Sequence, residues 1–131
     1  MAKTTAAITL TSSDLTSDAL SLSKTATLYK AGTTDGLDQT TGIGRKTTTA
    51  VTQYTIVAQT DYTDDKNHQV YLFNPSVITT EWFKVHIGTV ELGRLYAGDW
   101  LKFPYTGGQD IKITPSVATS MTLEHLVISE A

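Results

Sequence analysis

Cysteine is absent from this chain of 131 residues. Without thiols neither a disulfide framework nor a thiolate metal site can form, so the fold must be held by burial and strand pairing, which suits assembly in a reducing cytoplasm. Residues 1–7 are followed by threonine and serine instead of a long apolar run. We therefore expect neither a secretory signal nor a membrane span.

An excess of charge of one sign is also missing. Ten basic and 13 acidic side chains leave a formal net charge of −3, too mild to bind a polyanion strongly. We therefore expect no nucleic-acid partner. Good helix formers are few, whereas threonine is the commonest residue and fits a pleated strand better than a helix. The length predicts one domain with a core of its own.

Short alternating segments separated by Gly, Pro and Asn turns predict an all-β fold. We expect a single antiparallel β-sandwich or jelly roll, with a small closed barrel as the alternative. The predicted strands of the C-terminal part lie within residues 54–58, 69–73, 82–87, 90–105, 111–113 and 121–128.

The stretch over residues 90–105 indicates two strands joined at Ala97 and Gly98. The second strand alternates apolar side chains with Trp100 and Lys102 on the opposite face. In the first strand the apolar register shifts near Gly93, which predicts a β-bulge.

The N-terminal third offers little to bury. Its first segment predicts a short strand with Ile8 and Leu10 on one face, and Leu20 and Leu22 then alternate with serines. A helix over residues 13–23 is the competing interpretation, because apolar residues there also recur at helical spacing.

Apolar residues nearly vanish over residues 31–49, where only Leu37 and Ile43 could be buried. A loop of that length in a compact domain is typically functional or ordered by a partner. We divide the single domain into an N-terminal arm and Gly/Thr-rich loop over residues 1–49 and a β-sandwich core over residues 50–131. Our hypothesis is that the first part orders against another protein.

No motif specifies a reaction. The acidic turn over residues 61–67 lacks the spacing and the glycine of a calcium loop, and the three histidines lie on separate segments without zinc-site spacing. Residues 42–47 resemble a phosphate loop superficially, but Arg45 separates glycine from lysine. Carboxylates are scattered, and no serine elbow is present. We expect no enzyme, no catalytic residue, no cofactor and no bound metal.

Two tryptophans are candidates for contact with a partner or a sugar. Trp82 and Trp100 each fall on the polar face of a predicted strand, whereas Tyr105 is expected to fill the core. Together with Arg45 and Lys46 of the polar N-terminal segment, the two tryptophans form the set of candidate interface residues.

Four segments carry a family resemblance: LGRLYAGDW at residues 92–100, DIKITPSVAT at 110–119, VYLFN at 70–74 and GRKTTT at 44–49. The residue pattern of these segments is similar to that of small virion structural proteins of tailed bacteriophages. The resemblance implies a β-sandwich present in many copies on the capsid surface, of the decoration (cement) type, assembled in the host cytoplasm. Its implied partners are the major capsid protein and copies of itself, for example as a trimer.

Two other functions stay open at this point. One is a tail, neck or head-fibre component of the same virion. The other is a carbohydrate-binding module, for which Trp82 and Trp100 would be the stacking residues.

Overall fold

The computed structural model describes residues 3–15 and 17–130. Over these residues the fold is all-β, with one short 3-10 helix (Gln59–Asp61) and no α-helix among them. The strands are β1 (Thr5–Ser12), β2 (Leu20–Thr27), β3 (Gln39–Thr40), β4 (Gly44–Thr48), β5 (Tyr54–Val57), β6 (His68–Phe73), β7 (Phe83–Ile87), β8 (Val90–Leu95), β9 (Trp100–Tyr105), β10 (Ile111–Pro115) and β11 (Met121–Ser129). The predicted all-β class is confirmed.

The competing helix over residues 13–23 is wrong for the residues of it that the structure describes. β2 begins at Leu20 and pairs antiparallel with β1 over the full length of both strands. The alternation of Leu20 and Leu22 with serines matches the alternation on β1, so one face of the hairpin collects the apolar side chains of both strands.

Two larger antiparallel sheets make up the body of the domain. Sheet I has the order β5-β10-β7-β8, and sheet II has the order β3-β11-β6-β9, with β4 also paired to β11. A single core cluster draws buried side chains from both sheets: Val57, Val70, Leu72, Phe83, Val85, Leu95, Phe103, Tyr105, Ile111, Ile113, Met121, Leu123 and Val127. This is the layering of a β-sandwich. The jelly-roll connectivity stays a prediction.

The turn at Ala97 and Gly98 joins two strands of different sheets. β8 pairs with β7 in sheet I, whereas β9 pairs with β6 in sheet II. Residues 90–105 therefore cross from one layer of the sandwich to the other instead of forming a hairpin. Each of the two is an edge strand of its sheet, and residues of both line one cavity.

The predicted side-chain faces of β9 are confirmed. Phe103 and Tyr105 are buried in the core, and Trp100 is exposed on the opposite face. The predicted bulge is confirmed as well, since the pairing of β8 with β7 shifts register between Val85 and His86.

Part of the Gly/Thr-rich segment over residues 31–49 belongs to sheet II. β4 pairs with β11 along its whole length, and both Leu37 and Thr48 are buried. Few apolar residues suffice here because threonine fits the pleated surface and β11 supplies the apolar neighbours. Sheet II therefore begins upstream of residue 50.

A tight backbone contact restricts the turn between β9 and β10 to glycine. Gly107 has φ of +88°, and a Cβ there would lie 2.7 Å from the carbonyl oxygen of Thr63. We expect Gly107→Ala to lower the free energy of unfolding by about 1–3 kcal/mol, because alanine would add both backbone strain and a contact with the Thr63 backbone. Urea unfolding followed by tryptophan fluorescence measures this loss.

Gly98→Ala is the matched control, since Gly98 has φ of +82° but open space around its Cβ position. It carries the backbone strain alone, and we expect a smaller loss. Equal losses for the two variants would show that the Thr63 contact is unimportant.

Candidate interaction surface

The hairpin of β1 and β2, residues 5–27, is hereafter called the arm; it is only part of the N-terminal arm and loop that the sequence analysis assigned to residues 1–49. Its register places threonines, serines and Ala7 on one face. The other face, hereafter the apolar face, carries the large apolar side chains together with Ser12 and Lys24. The apolar face carries Ile8, Leu10, Leu20 and Leu22, which are 37%, 45%, 39% and 36% exposed. An isolated two-stranded hairpin is marginally stable in water at best. The arm therefore presents an apolar face that a partner could cover.

The base of the arm lies on the outer face of sheet II. Next to the arm, Leu28 is buried and its backbone N–H donates to the Thr4 carbonyl oxygen at 2.9 Å. A cavity of about 170 Å³ separates the arm base from β6 and β11, and one of about 230 Å³ separates Ile8 from Trp100 of β9. The arm thus crosses sheet II toward its β9 edge.

The distal part of the arm extends away from the body. A surface recess near its tip is lined by arm residues alone, among them Ser12, Asp14 and Leu20. The tip is capped locally, since the Ser12 hydroxyl accepts the backbone N–H of Leu15 at 3.1 Å. The contacts of Ser12 therefore lie within the arm, while Leu15 and Leu20 stay exposed.

A second apolar surface lies between the edge strands β8 and β9. It is a cavity of about 230 Å³, hereafter called the groove, whose lining includes Val85, Leu92, Arg94, Leu95, Trp100 and Leu101. Leu92 and Trp100 are each 50% exposed. Because Trp100 also lines the cavity beneath Ile8, the groove and the apolar face of the arm adjoin each other.

Trp82 precedes β7 and lies half-buried beside two cations. The guanidinium carbon of Arg94 is 4.1 Å from its ring centroid, and the Lys84 ammonium is 6.0 Å away. Arg94 is paired opposite Lys84 in the sheet, so both cations share the outer face of sheet I with Trp82. Arg94 occupies a ring face that a sugar would need, which disfavours Trp82 as a glycan platform.

The other two candidate interface residues lie on β4. Arg45 is exposed, and its Nη2 is 3.6 Å from Glu124 Oε2, a surface ion pair worth about 1 kcal/mol or less. The Lys46 ammonium lies 5.3 Å from the ring centroid of Tyr54. Both positive charges already have a partner within the chain.

The structure divides the four candidates into two groups. Trp82 and Trp100 are linked through Arg94, which stacks on the first and lines the groove with the second. Arg45 and Lys46 lie across sheet II, on the side of β11 away from β9. The interface role of all four stays a prediction.

Sequence reasoning missed two parts of this surface. Leu92 and Arg94 were not singled out, because their importance depends on β9 lying beside β8 with a gap between them. The exposed apolar face of the arm was missed as a unit, although two short alternating segments with leucines at matching positions are a usable signal for a hairpin.

His125 on β11 lies against β4, and its ionisation couples to Lys46. Burial, and to a lesser extent the charge of Lys46, lowers the pKa of His125. The unfolded chain, with a pKa near the ordinary value of about 6.5, therefore takes up the proton first. His125 contributes stability above that pKa, and this stability is lost as the pH falls through the folded-state value.

We accordingly expect His125→Gln to weaken the decline of unfolding free energy between about pH 7 and pH 5. Denaturant titrations across this range measure it. Lys46→Met is the companion variant, and NMR titration should show the pKa of His125 moving up in it. An unchanged pH profile in His125→Gln would contradict the assignment.

The structure does not bring together the residues that the sequence analysis considered for metal or phosphate binding. Within residues 3–15 and 17–130, no three His, Cys, Asp or Glu side chains are grouped as metal ligands. His68 is buried, with Nε2 3.1 Å from the Thr63 carbonyl oxygen. Residues 44–48 form a strand, whereas a phosphate loop would open a helix.

Comparisons with known proteins returned no match: no protein-family model, no curated protein and no solved structure matches the chain. The described residues also contain no helix with the length and hydropathy of a membrane span. Function must therefore be argued from the chain's own surfaces, of which the arm and the groove are the most distinctive.

Proposed function

We propose that this protein is a structural protein of a phage virion, of the capsid decoration type, which binds the major capsid protein and stabilises the capsid lattice from its outer surface. The observation that carries the proposal is the arm, because it offers an apolar face whose four large side chains are 36–45% exposed. In this role the protein performs no chemistry and uses no cofactor.

The arm suits binding to a large repeating surface. Each leucine or isoleucine moved from water into a contact contributes about 1.5–3 kcal/mol before ordering costs are subtracted. Four such side chains give a modest gain for each copy. On a capsid the same contact repeats at every equivalent position, so modest gains sum to substantial resistance against internal pressure.

The sandwich body suits the same role by holding the arm at a defined place. Sheet II carries the arm base on its outer face, and its inner face is packed into the core cluster. A rigid body with one projecting contact element could bind many equivalent sites without changing its own fold.

Cryo-electron microscopy of the parent virion tests the location. We expect density for this fold at every lattice position of one kind on the outer capsid surface, with the arm contacting the major capsid protein or a neighbouring copy. Density confined to a single vertex, a neck or a fibre would assign the protein to the tail or head-fibre class instead. Its absence from purified virions would end the proposal.

A matched pair of double variants tests the apolar face. Leu10→Asp with Leu22→Asp places two charges opposite each other on the apolar face, and Thr9→Asp with Ser23→Asp does the same on the polar face. Binding is tested on virus particles from which the native protein is missing. We expect the double variant on the apolar face to bind them no longer, and the double variant on the polar face to bind them still.

Co-sedimentation with those particles measures retention, and thermal unfolding of the free protein serves as a folding control. All four residues are exposed, so the two variants should melt at similar temperatures. Equal loss of retention in both would show that the apolar face does not make the contact.

A further inference from the structure

We propose that the arm of one copy lies in the groove of a second copy, so that each copy gives one arm and receives one. The proposal deepens the self-assembly part of the proposed function and rests on it only for the expectation that copies of this chain meet. The groove is formed by the facing edges of β8 and β9, and the arm is formed by β1 and β2.

The first support is that two apolar surfaces of one chain are both left open. The leucines of the arm are exposed, and none of them lines the groove of their own copy. The groove in turn is flanked by Leu92 and Trp100, each half exposed. Both surfaces are apolar, so burying the face of the arm in the groove would remove both from water and stabilise a complex.

The second support is charge complementarity. The charges of the arm are separated along its length: Asp14 and Asp18 lie near the tip, and Lys24 is paired opposite Ile8 nearer the base. The groove carries Arg94 and also Asp99, whose carboxylate accepts the backbone N–H of Tyr96 at 3.1 Å, and the neighbouring outer face of sheet I carries Lys84. An arm laid with its acidic tip toward Arg94 and Lys84 therefore brings opposite charges together, which would favour that orientation of the arm.

The third support is the size of the contact. The free part of the arm spans about five residue pairs, or about 17 Å at the rise of a strand. One such contact is smaller than the roughly 800 Å² for each partner in a standard stable interface. If each copy both gives and receives an arm, the buried area doubles. The arm and the groove of one copy adjoin at Trp100, so the two contacts of a symmetric, closed assembly can lie side by side.

Cross-linking between singly substituted copies tests the contact, and the chain has no native cysteine to interfere. Leu10→Cys and Leu92→Cys proteins, one of them labelled with ¹⁵N, are mixed and treated with a short bis-maleimide. Only a contact between copies can join a labelled chain to an unlabelled one. We expect a mixed cross-linked dimer at a yield about tenfold above that of the Thr9→Cys control, whose side chain lies on the opposite face of the arm.

Sedimentation equilibrium gives an independent readout that does not depend on cross-linker geometry. We expect the native protein to form a closed oligomer, and Leu10→Asp to weaken its association at least about tenfold while Thr9→Asp leaves it within about twofold. A monomer at all concentrations, or equal mixed cross-linking from Leu10→Cys and Thr9→Cys, would overturn arm exchange.

These outcomes separate the two proposals. If the protein is monomeric yet binds particles through the apolar face of its arm, the arm contacts the capsid itself, so arm exchange is wrong and the decoration function stands. If the arms exchange but the protein is absent from virions, the decoration function is wrong and arm exchange stands.

Discussion

Replacing Phe83 by alanine is expected to lower the free energy of unfolding by about 3–5 kcal/mol. Phe83 opens β7, is completely buried, and is paired between Leu95 of β8 and Pro115 of β10. Alanine would leave a cavity at the centre of the sandwich, because the two sheets cannot close over it without moving the edge strand β8. Urea unfolding monitored by circular dichroism measures the loss.

Trp100→Ala is the control for removing an aromatic side chain. Trp100 is half exposed at the edge of the groove, so we expect a loss of about 1 kcal/mol or less. A Phe83→Ala loss as small as that of Trp100→Ala would contradict the burial of Phe83 in the core. The same two variants separate stability from assembly, since Trp100→Ala should weaken arm exchange while leaving the fold intact.

The second large effect is expected at Asn74, which follows β6 and is completely buried. Its side-chain amide donates to the carbonyl oxygens of Glu81 at 3.2 Å and Leu95 at 3.1 Å, and its side-chain oxygen accepts the backbone N–H of Ser76 at 3.2 Å. Its own N–H donates to the Asp99 carbonyl oxygen at 3.0 Å. One side chain therefore joins the ends of strands from both sheets.

We expect Asn74→Ala to cost about 2–4 kcal/mol, because the buried carbonyl oxygen of Leu95 and the part-buried N–H of Ser76 would each lose a hydrogen bond. Asn74→Asp separates hydrogen bonding from size. The carboxylate would face the Glu81 and Leu95 carbonyl oxygens, so this variant should be unstable at neutral pH. It should recover as the pH falls and the carboxyl group becomes a donor.

Gln53→Ala, at an exposed position, is the control for losing an amide side chain. Its unfolding free energy should stay within about 0.5 kcal/mol of that of the native protein. Asn74→Ala with an equally small change, or Asn74→Asp with stability that does not rise toward acid pH, would remove Asn74 from this junction.

The features of the fold that could be predicted are those whose sequence signal lies within a single strand. The alternation in β7 and β9 has a period of two and assigns each side chain to a face without knowledge of the neighbouring strands. The sequence of β6 is instead apolar on both faces. The bulge in β8 was predictable for the same reason, since the shift of apolar register occurs within a few residues. The buried positions of Phe103 and Tyr105 followed from that alternation.

Strand partners were not predictable, because pairing is a property of distant segments. Thr48 on β4 donates its hydroxyl to the Met121 carbonyl oxygen, 73 residues away, and nothing within residues 31–49 indicates that neighbour. The sequence indicates two strands joined at Ala97 and Gly98, but it does not indicate that these strands lie in different sheets. The helix over residues 13–23 was proposed because a short segment can satisfy two periodicities at once.

For the candidate surface, the sequence by itself determined the residue types and their local spacing. Threonine content and two-residue alternation determined the all-β class, and the lack of cysteine excluded thiol chemistry. Ile8 and Leu10 on β1 and Leu20 and Leu22 on β2 were likewise recognisable as alternating apolar positions, since all of these depend on residue type and local spacing alone. Only the tertiary structure decided that those leucines share one uncovered face, that Arg94 stacks on Trp82, and that β8 and β9 leave a groove beside Trp100. The physical reason is that exposure and complementarity belong to the packed molecule, because they depend on which surfaces the other strands have already covered.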